Sequence, residues 1–239
     1  MRAKMILAIL LLGVLAGSAS ATTIAIDFST GGATGGTVIY AGAGVPGDGP
    51  MVGTGIGIGF LQGVNTPIPR PNPLPFLGDL HWVSNGFTGF GSLSFETGNF
   101  ISYSGGIYNF GLGGYLTITG AVPDAGIASP VVLVSAPMIA GQFNSASGKL
   151  AFVVGNDTKN QDLLNWFGLT SPPYPNLWEL SGTIHVMNIV GGTGAGFTAD
   201  AAKSTNVQNT LAPEPATMSL LGLGIGLIGL GGYFRRRRQ

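Results

Sequence analysis

The stretch GIGIGF, at residues 55–60, decides the fold, because a large apolar side chain recurs there at every second position. The same alternation runs through TTIAIDF at residues 22–28 and through SLSF at residues 92–95. Successive side chains of a β-strand point to opposite faces, whereas a helical pattern would repeat about every 3.6 residues. Each of these segments is therefore predicted to be a strand with one buried face.

Further strands are predicted where short apolar or alternating runs are bounded by Gly, Pro, Asn or Asp. They fall at residues 37–40, 100–103, 115–119, 131–134, 150–154 and 183–190. Turn signals such as GDGP at residues 47–50 suit antiparallel connections. We therefore predict an all-β body at residues 22–198, built as an antiparallel β-sandwich or jelly roll.

Three segments of the body do not fit the strand pattern. Residues 160–167 are predicted to form the one helix, with Asn160 as its cap and Gly168 as its stop. Residues 65–75 carry five prolines and should be extended, either as a lid or as a crossing between sheets. Residues 199–212 are polar and weakly patterned, which predicts a flexible spacer that holds the domain off a membrane.

The composition restricts the chemistry that the body can perform. The chain has no Cys, which excludes disulfides, thiolate metal sites and a Cys nucleophile. Charged residues make up 8% of the chain, against about 25% in ordinary soluble domains, and 42 of the 239 residues are Gly. Between Ala21 and Pro213, four basic residues face nine acidic ones, a net charge of −5. This balance argues against nucleic-acid binding, because no basic patch is available to displace phosphate counterions.

The N-terminus has the pattern of a secretion signal. Arg2 and Lys4 precede an apolar run at residues 5–15, and small residues follow it as far as Ala19-x-Ala21. Signal peptidase accepts small side chains at these two positions, so residues 1–21 are predicted to be a helical signal peptide cleaved after Ala21. The alternative is an uncleaved anchor, but the apolar run is too short to cross about 30 Å of hydrocarbon.

The C-terminus has the pattern of a membrane span. Residues 216–234 carry no charge, and a helix of this length would reach about 28 Å, enough to cross a bilayer. Arg235, Arg236, Arg237 and Arg238 follow directly. Moving four guanidinium groups through lipid is costly, so these arginines should stay on the cytoplasmic side and leave the body outside.

Pro213, Glu214 and Pro215 stand immediately before this span. The order of Pro-Glu-Pro, one apolar span and a terminal Arg cluster resembles the PEP-CTERM sorting signal of Gram-negative bacteria, over residues 213–239. The resemblance implies recognition by exosortase, a membrane-embedded cysteine protease or transpeptidase that releases or transfers the protein near the motif. It also implies an association with exopolysaccharide and biofilm production.

The prolines offer a physical reason for such a motif. Pro213 and Pro215 fix φ and remove backbone donors, so they should keep the segment extended and off the end of the helix, where a protease can grip it. Glu214 would then be a single anion at the outer membrane face. The alternative is a proline-capped stalk on a tail-anchored protein.

The histidines and the acidic loop are weak candidates for a site. His81 follows the proline-rich segment and could be a site residue, whereas alternation groups His185 with Thr183 and Met187 and predicts that it packs inside the sandwich. Residues 156–162 gather oxygen ligands but lack the spacing of a calcium loop, which predicts a solvated turn, with weak Ca²⁺ binding as the alternative. GAGVPG at residues 42–47 fits a dinucleotide-binding pattern, but Pro46, Gly49 and Pro50 deny it the required helix. We therefore predict no catalytic, cofactor-binding or metal-binding residues, and no enzyme.

Three functions remain open for the body. The first is a structural component of the cell surface or extracellular matrix. The second is a glycan-binding module in which Trp82, Trp166, Tyr174 or Trp178 stacks on sugar rings, although large aromatics usually pack in the core. The third is a secreted hydrolase, which would need paired carboxylates. In each case, the precursor should be held in the inner membrane with its body in the periplasm, and signal peptidase and exosortase should be its processing partners.

Overall fold

The computed structural model describes residues 24–33, 35–74, 78–86, 89–170 and 178–211, without the side chains of residues 201–203 and 211. Antiparallel strands make up most of these described residues. The strands are β1 (Ala25–Ser29), β2 (Thr37–Tyr40), β3 (Pro50–Ile58), β4 (Phe60–Val64), β5 (His81–Trp82), β6 (Gly91–Ser104), β7 (Ile107–Phe110), β8 (Tyr115–Val122), β9 (Ile127–Asn144), β10 (Lys149–Val154), β11 (Thr158–Lys159), β12 (Trp178–Gly191) and β13 (Phe197–Leu211). A short 3-10 helix, Pro123–Ala125, precedes β9, and helix α1, Gln161–Phe167, follows β11.

The strand pairing closes on itself. The path of paired neighbours runs β12-β10-β9-β7-β6-β3-β2-β13, and β12 also pairs with β13, which completes a ring. β8 bridges β6 and β9 and β11 pairs with β9, while β1, β4 and β5 extend from β13 as a branch. The all-β, antiparallel class is thus confirmed, and the division into two sandwich sheets or a jelly roll stays a prediction.

An aromatic core fills the ring. Tyr40 of β2 stacks on Phe100 of β6, with 5.3 Å between ring centroids, and Phe143 of β9 stacks on Phe197 of β13 at 4.4 Å. Tyr108 of β7 contacts both groups, edge-on to Phe100 at 6.2 Å and to Phe197 at 5.1 Å. All five side chains are at most 2% exposed. Offset-stacked and edge-on ring pairs stabilise a core beyond the area they bury, so strands distant in sequence are held together here.

The GIGIGF stretch has the predicted alternation but not the predicted single strand. Ile56, Ile58 and Phe60 are buried, as expected from the period of two. The strand is interrupted at Gly59, however, so that β3 ends before it and β4 begins after it. A Cβ at Gly59 would lie 2.4 Å from the carbonyl oxygen of Thr30, which explains why this position requires glycine.

The other predicted elements are mostly confirmed, with longer bounds. β2 has its predicted limits, whereas residues 92–95 and 100–103 belong to one strand, β6. The helix is confirmed as α1. The Asn160 side-chain oxygen accepts hydrogen bonds from the backbone N–H groups of Asp162 and Leu163, and Gly168 ends the helix at φ 76°.

The prediction of a flexible spacer at residues 199–212 is wrong. Residues 199–211 lie in β13, which pairs with β1, β2 and β12. Thr205, Val207 and Asn209 alternate into the interior and are at most 3% exposed. Two of these three residues are polar, so composition suggested a solvated linker where long-range backbone pairing forms a strand.

The two membrane-related predictions lie outside the described residues. These are the signal peptide at residues 1–21 and the span at residues 216–234. Among the residues that the structure does describe, no helix has the length and apolar character needed to cross a bilayer.

Candidate functional site

A cavity of about 300 Å³ lies beside the proline-rich segment. The segment crosses the end of α1, and β5 and the 3-10 helix complete the walls. The lining residues are Pro69, Arg70, Pro71, Pro73, His81, Asp124 and Trp166. His81, one of the two histidines considered from sequence, thus belongs to a concave site.

His81 is held on both sides of its ring. The side chain is 2% exposed, Nδ1 lies 2.8 Å from Oδ2 of Asp124, and Nε2 lies 2.5 Å from the carbonyl oxygen of Arg70. A carbonyl oxygen only accepts, so Nε2 must donate its proton there. Both ring nitrogens therefore have a partner, Nε2 the carbonyl oxygen of Arg70 and Nδ1 the carboxylate of Asp124. These contacts suit a structural clamp better than a general base.

The proline-rich segment is fixed against α1 by further hydrogen bonds. Nε of Arg70 donates to the carbonyl oxygen of Trp166 at 2.6 Å, and the guanidinium lies 5.6 Å from the centre of the Trp166 ring. The backbone N–H of Ile68 donates to the carbonyl oxygen of Phe167 at 3.2 Å. Together with His81, these contacts make the segment a crossing that is anchored at several points.

Two exposed aromatic rings lie on β5 and directly before β6. Trp82 is 44% exposed and Phe90 is 39% exposed, and their rings stack with 6.5 Å between centroids. Phe60, which is buried, supports Trp82 from below at 4.3 Å. We call Trp82 and Phe90 the aromatic patch; Phe90 had no distinguishing sequence signal, because glycines surround it.

The remaining aromatic candidates differ in their exposure. Trp166 is partly buried and lines the cavity, whereas Trp178 is 2% exposed and belongs to the core. Tyr174 lies outside the described residues. Of the three candidates that the structure describes, Trp82 has the most exposed side chain.

The predicted placement of His185 inside the body is wrong. Its neighbours Ile184 and Val186 are buried, while His185 and Met187 are exposed. The predicted alternation is present in β12, but the opposite set of residues faces inward. The apolar residues Leu180, Ile184 and Val186 determine which face of the strand is buried, and His185 lies on the other face.

The acidic loop at residues 156–162 does not form the predicted solvated turn. The side chain of Asp157 is fully buried and lies 2.5 Å from Nζ of Lys159, which is 1% exposed. Nδ2 of Asn209 donates to the other oxygen of Asp157, and Nζ of Lys159 lies 3.9 Å above the Trp178 ring. We call these four residues the Lys159 cluster. Within the described parts of the chain, no three acidic, His or Cys residues are grouped to hold a metal.

The glycine-rich segment at residues 42–47 is an irregular loop. The backbone N–H groups of Ala43 and Val45 both donate to the Oδ2 atom of Asp48. No helix follows in the described residues that come next, which continue into β3. A helix N-terminus for a pyrophosphate is therefore not formed at this loop.

Comparison with protein families identifies the C-terminal tail. A family model described as the PEP-CTERM protein-sorting motif matches residues 211–238. The chain therefore carries a PEP-CTERM sorting motif. Its presence implies export, a membrane-anchored precursor and processing by exosortase. Comparisons of the chain with curated proteins and with solved structures give no match.

The match also locates the sorting residues relative to the fold. Pro213, Glu214, Pro215 and the arginines at residues 235–238 fall inside it, and all of them lie outside the described residues, as do Ala19 and Ala21 of the predicted cleavage site. The match begins at Leu211, the last residue of β13. In this PEP-CTERM protein, the folded body therefore reaches the start of the sorting motif.

Replacing Asp124 tests whether His81 is a structural clamp. Asp124→Ala would leave Nδ1 of a buried His without its partner, and we expect the free energy of unfolding to fall by about 1–2 kcal/mol. Asp79→Ala, which removes an exposed carboxylate nearby, should change it by less than about 0.5 kcal/mol. Urea unfolding of the full chain gives both values, and equal effects would contradict the clamp.

Proposed function

We propose that this PEP-CTERM protein is a structural component of the cell surface or extracellular matrix, delivered as a folded body and processed by exosortase. The observation that carries the proposal is the continuity between β13 and the sorting motif at Leu211. Because β13 pairs along its length with three other strands, the whole body is tied mechanically to the segment that exosortase acts on.

The route to the surface follows from the ends of the chain. Signal peptidase removes residues 1–21, and the span at residues 216–234 then holds the precursor in the inner membrane with its body in the periplasm. Arg235–Arg238 keep the end of the chain in the cytoplasm. Exosortase acts near Pro213–Pro215, and the body passes to the surface or matrix, where it accompanies exopolysaccharide.

The body has properties that suit a passive matrix component. Its strand pairing closes into a ring, which leaves fewer unpaired strand edges than an open sheet and so limits uncontrolled association. Its surface carries few charges, since charged residues are only 8% of the chain. Such a surface interacts through hydroxyl, amide and backbone groups, which also suit contact with hydrated polysaccharide.

Glycan binding is the second candidate, and the aromatic patch supports it. Trp82 and Phe90 offer roughly parallel rings, with 26° between their planes, and Phe60 fixes Trp82 from below. Rigid, exposed aromatic faces are suitable platforms for the apolar faces of sugar rings. A hydrolase has less support, because Asp124 is the one carboxylate among the described lining residues of the cavity and is bound to His81.

Replacing Glu214 tests the proposed delivery. In the native host, Glu214→Ala should leave the protein at precursor mass in the membrane fraction and deplete it from the surface and matrix fractions, because the anion of the motif is lost. Glu179→Ala, which removes an exposed carboxylate of β12, should be processed normally. Cell fractionation and mass spectrometry measure both variants. Normal processing and matrix delivery of Glu214→Ala would contradict the proposal.

Replacing Trp82 separates the passive matrix role from glycan binding. If the aromatic patch binds sugar, Trp82→Ala should weaken binding to the host's own exopolysaccharide about tenfold, corresponding to about 1.4 kcal/mol. Tyr115→Ala, at another exposed aromatic residue, is the matched control and should bind normally. Binding that is absent from the unmodified protein, or unchanged by Trp82→Ala, would exclude the patch as a glycan site.

A further inference from the structure

The Lys159 cluster brings three reactive side-chain groups together in the interior. β11 carries Lys159 beside β9, and β13 carries Asn209 between β1 and β12. The side chains of Asp157 and Lys159 are 0% and 1% exposed, and Asn209 is 0% exposed. An amine, a carboxylate and a carboxamide are thus enclosed together, with Trp178 covering the amine.

Asp157 holds the amine and the carboxamide side by side. Its Oδ1 atom lies 2.5 Å from Nζ of Lys159, and its Oδ2 atom accepts a hydrogen bond from Nδ2 of Asn209. Nζ of Lys159 and Nδ2 of Asn209 therefore each contact one of the two oxygens of the Asp157 carboxylate. This arrangement places a nucleophile next to an amide and an acid–base group in contact with both.

The non-covalent arrangement leaves polar groups poorly satisfied. Oδ1 of Asn209 is buried and has no hydrogen-bond partner. An unpaired buried acceptor costs free energy, and a buried ion pair often contributes little to stability because both charges lose their hydration. As a simple ion pair, the Lys159 cluster would therefore contribute little to the stability of the body, even though it is buried.

Burial also favours the nucleophilic form of Lys159. Desolvation lowers the pKa of its ammonium group from 10.5 to about 8, although the nearby Asp157 carboxylate opposes this shift. A neutral amine is consequently easier to reach near neutral pH than for a solvated lysine. The burial of Asp157, Lys159 and Asn209 also limits access of bulk water, which disfavours hydrolysis of Asn209.

We infer that Lys159 and Asn209 become joined by an intramolecular isopeptide bond, with Asp157 as the group that moves the protons. This inference stands on the geometry of the Lys159 cluster and does not depend on the proposed function. It assigns a covalent modification site to a body that has no cysteine and hence no disulfide.

The reaction balances without an oxidant or a cofactor. Asp157 takes a proton from the Lys159 ammonium, and the freed electron pair of Nζ attacks Cγ of Asn209, whose carbonyl electron pair moves onto Oδ1. Asp157 gives its proton to Nδ2 and takes the next one from Nζ. The Cγ–Nδ2 bond then breaks with its electron pair, the carbonyl forms again, and one ammonia molecule leaves.

The cross-link would have a mechanical consequence. Asn209 lies in β13, just before the sorting motif begins at Leu211. A bond to Lys159 would attach this strand covalently to β11, which pairs with β9 on another part of the ring. A pull applied through the C-terminal end would then meet a covalent bond as well as backbone hydrogen bonds.

Mass spectrometry of the purified full chain tests the inference. We expect a mass lower by one ammonia than the sequence requires, after allowance for any end processing. Trypsin should fail to cut after Lys159, because an acylated lysine is not a substrate, and residues 150–203 should remain linked to the peptide that begins at Ser204. A chain of full mass that is cut after Lys159 would overturn the inference.

Variants assign the bond to its residues. Lys159→Arg, Asn209→Ala and Asp157→Ala should each restore the full mass expected for their sequences and abolish the linked peptides. Lys149→Arg, at an exposed lysine of β10, should keep the ammonia loss and the linkage. If the loss persisted in Lys159→Arg, the inference would be wrong. The mass of the chain without substitutions decides the question even if a variant fails to fold.

Discussion

The backbone pairing of β12 with β13 is the constraint on which the rest of this structure depends. It joins the two ends of the strand path and so converts an open sheet into a ring around the aromatic core. The chain has no disulfide and few charges with which to hold such a closure. Backbone hydrogen bonds and buried aromatic rings must therefore hold the ring closed, although the strands are rich in Gly, Ser, Thr and Asn.

The same strand connects stability to the sorting function. β13 pairs on one side with β12 and on the other with β1 and β2, carries Asn209 into the Lys159 cluster, and ends where the PEP-CTERM motif begins. The branch of β1, β4 and β5 starts from this same strand and leads to His81 at the cavity and to Trp82 of the aromatic patch.

Local sequence patterns were sufficient to predict β2, α1 and the alternation at residues 55–60, because turn residues, a cap and a period of two act over a few positions. They failed at β13, whose polar residues become a strand only by pairing with distant partners. They also failed for His185, since one shift of phase reverses every side chain. The Lys159 cluster had only a partial sequence signal, because residues 156–162 stood out as an acidic loop, whereas Trp178 and Asn209 lie far along the chain and meet Asp157 and Lys159 only in the folded body.

Amide hydrogen exchange along residues 204–211 of the full chain is the most direct test of this account. If β13 closes the ring, these amides should exchange as slowly as those of the buried strands β9 and β12, because opening them requires the sheet to unfold. Exchange at the rate of an unstructured peptide, with β9 and β12 still protected, would show that the segment is a linker and would contradict the account.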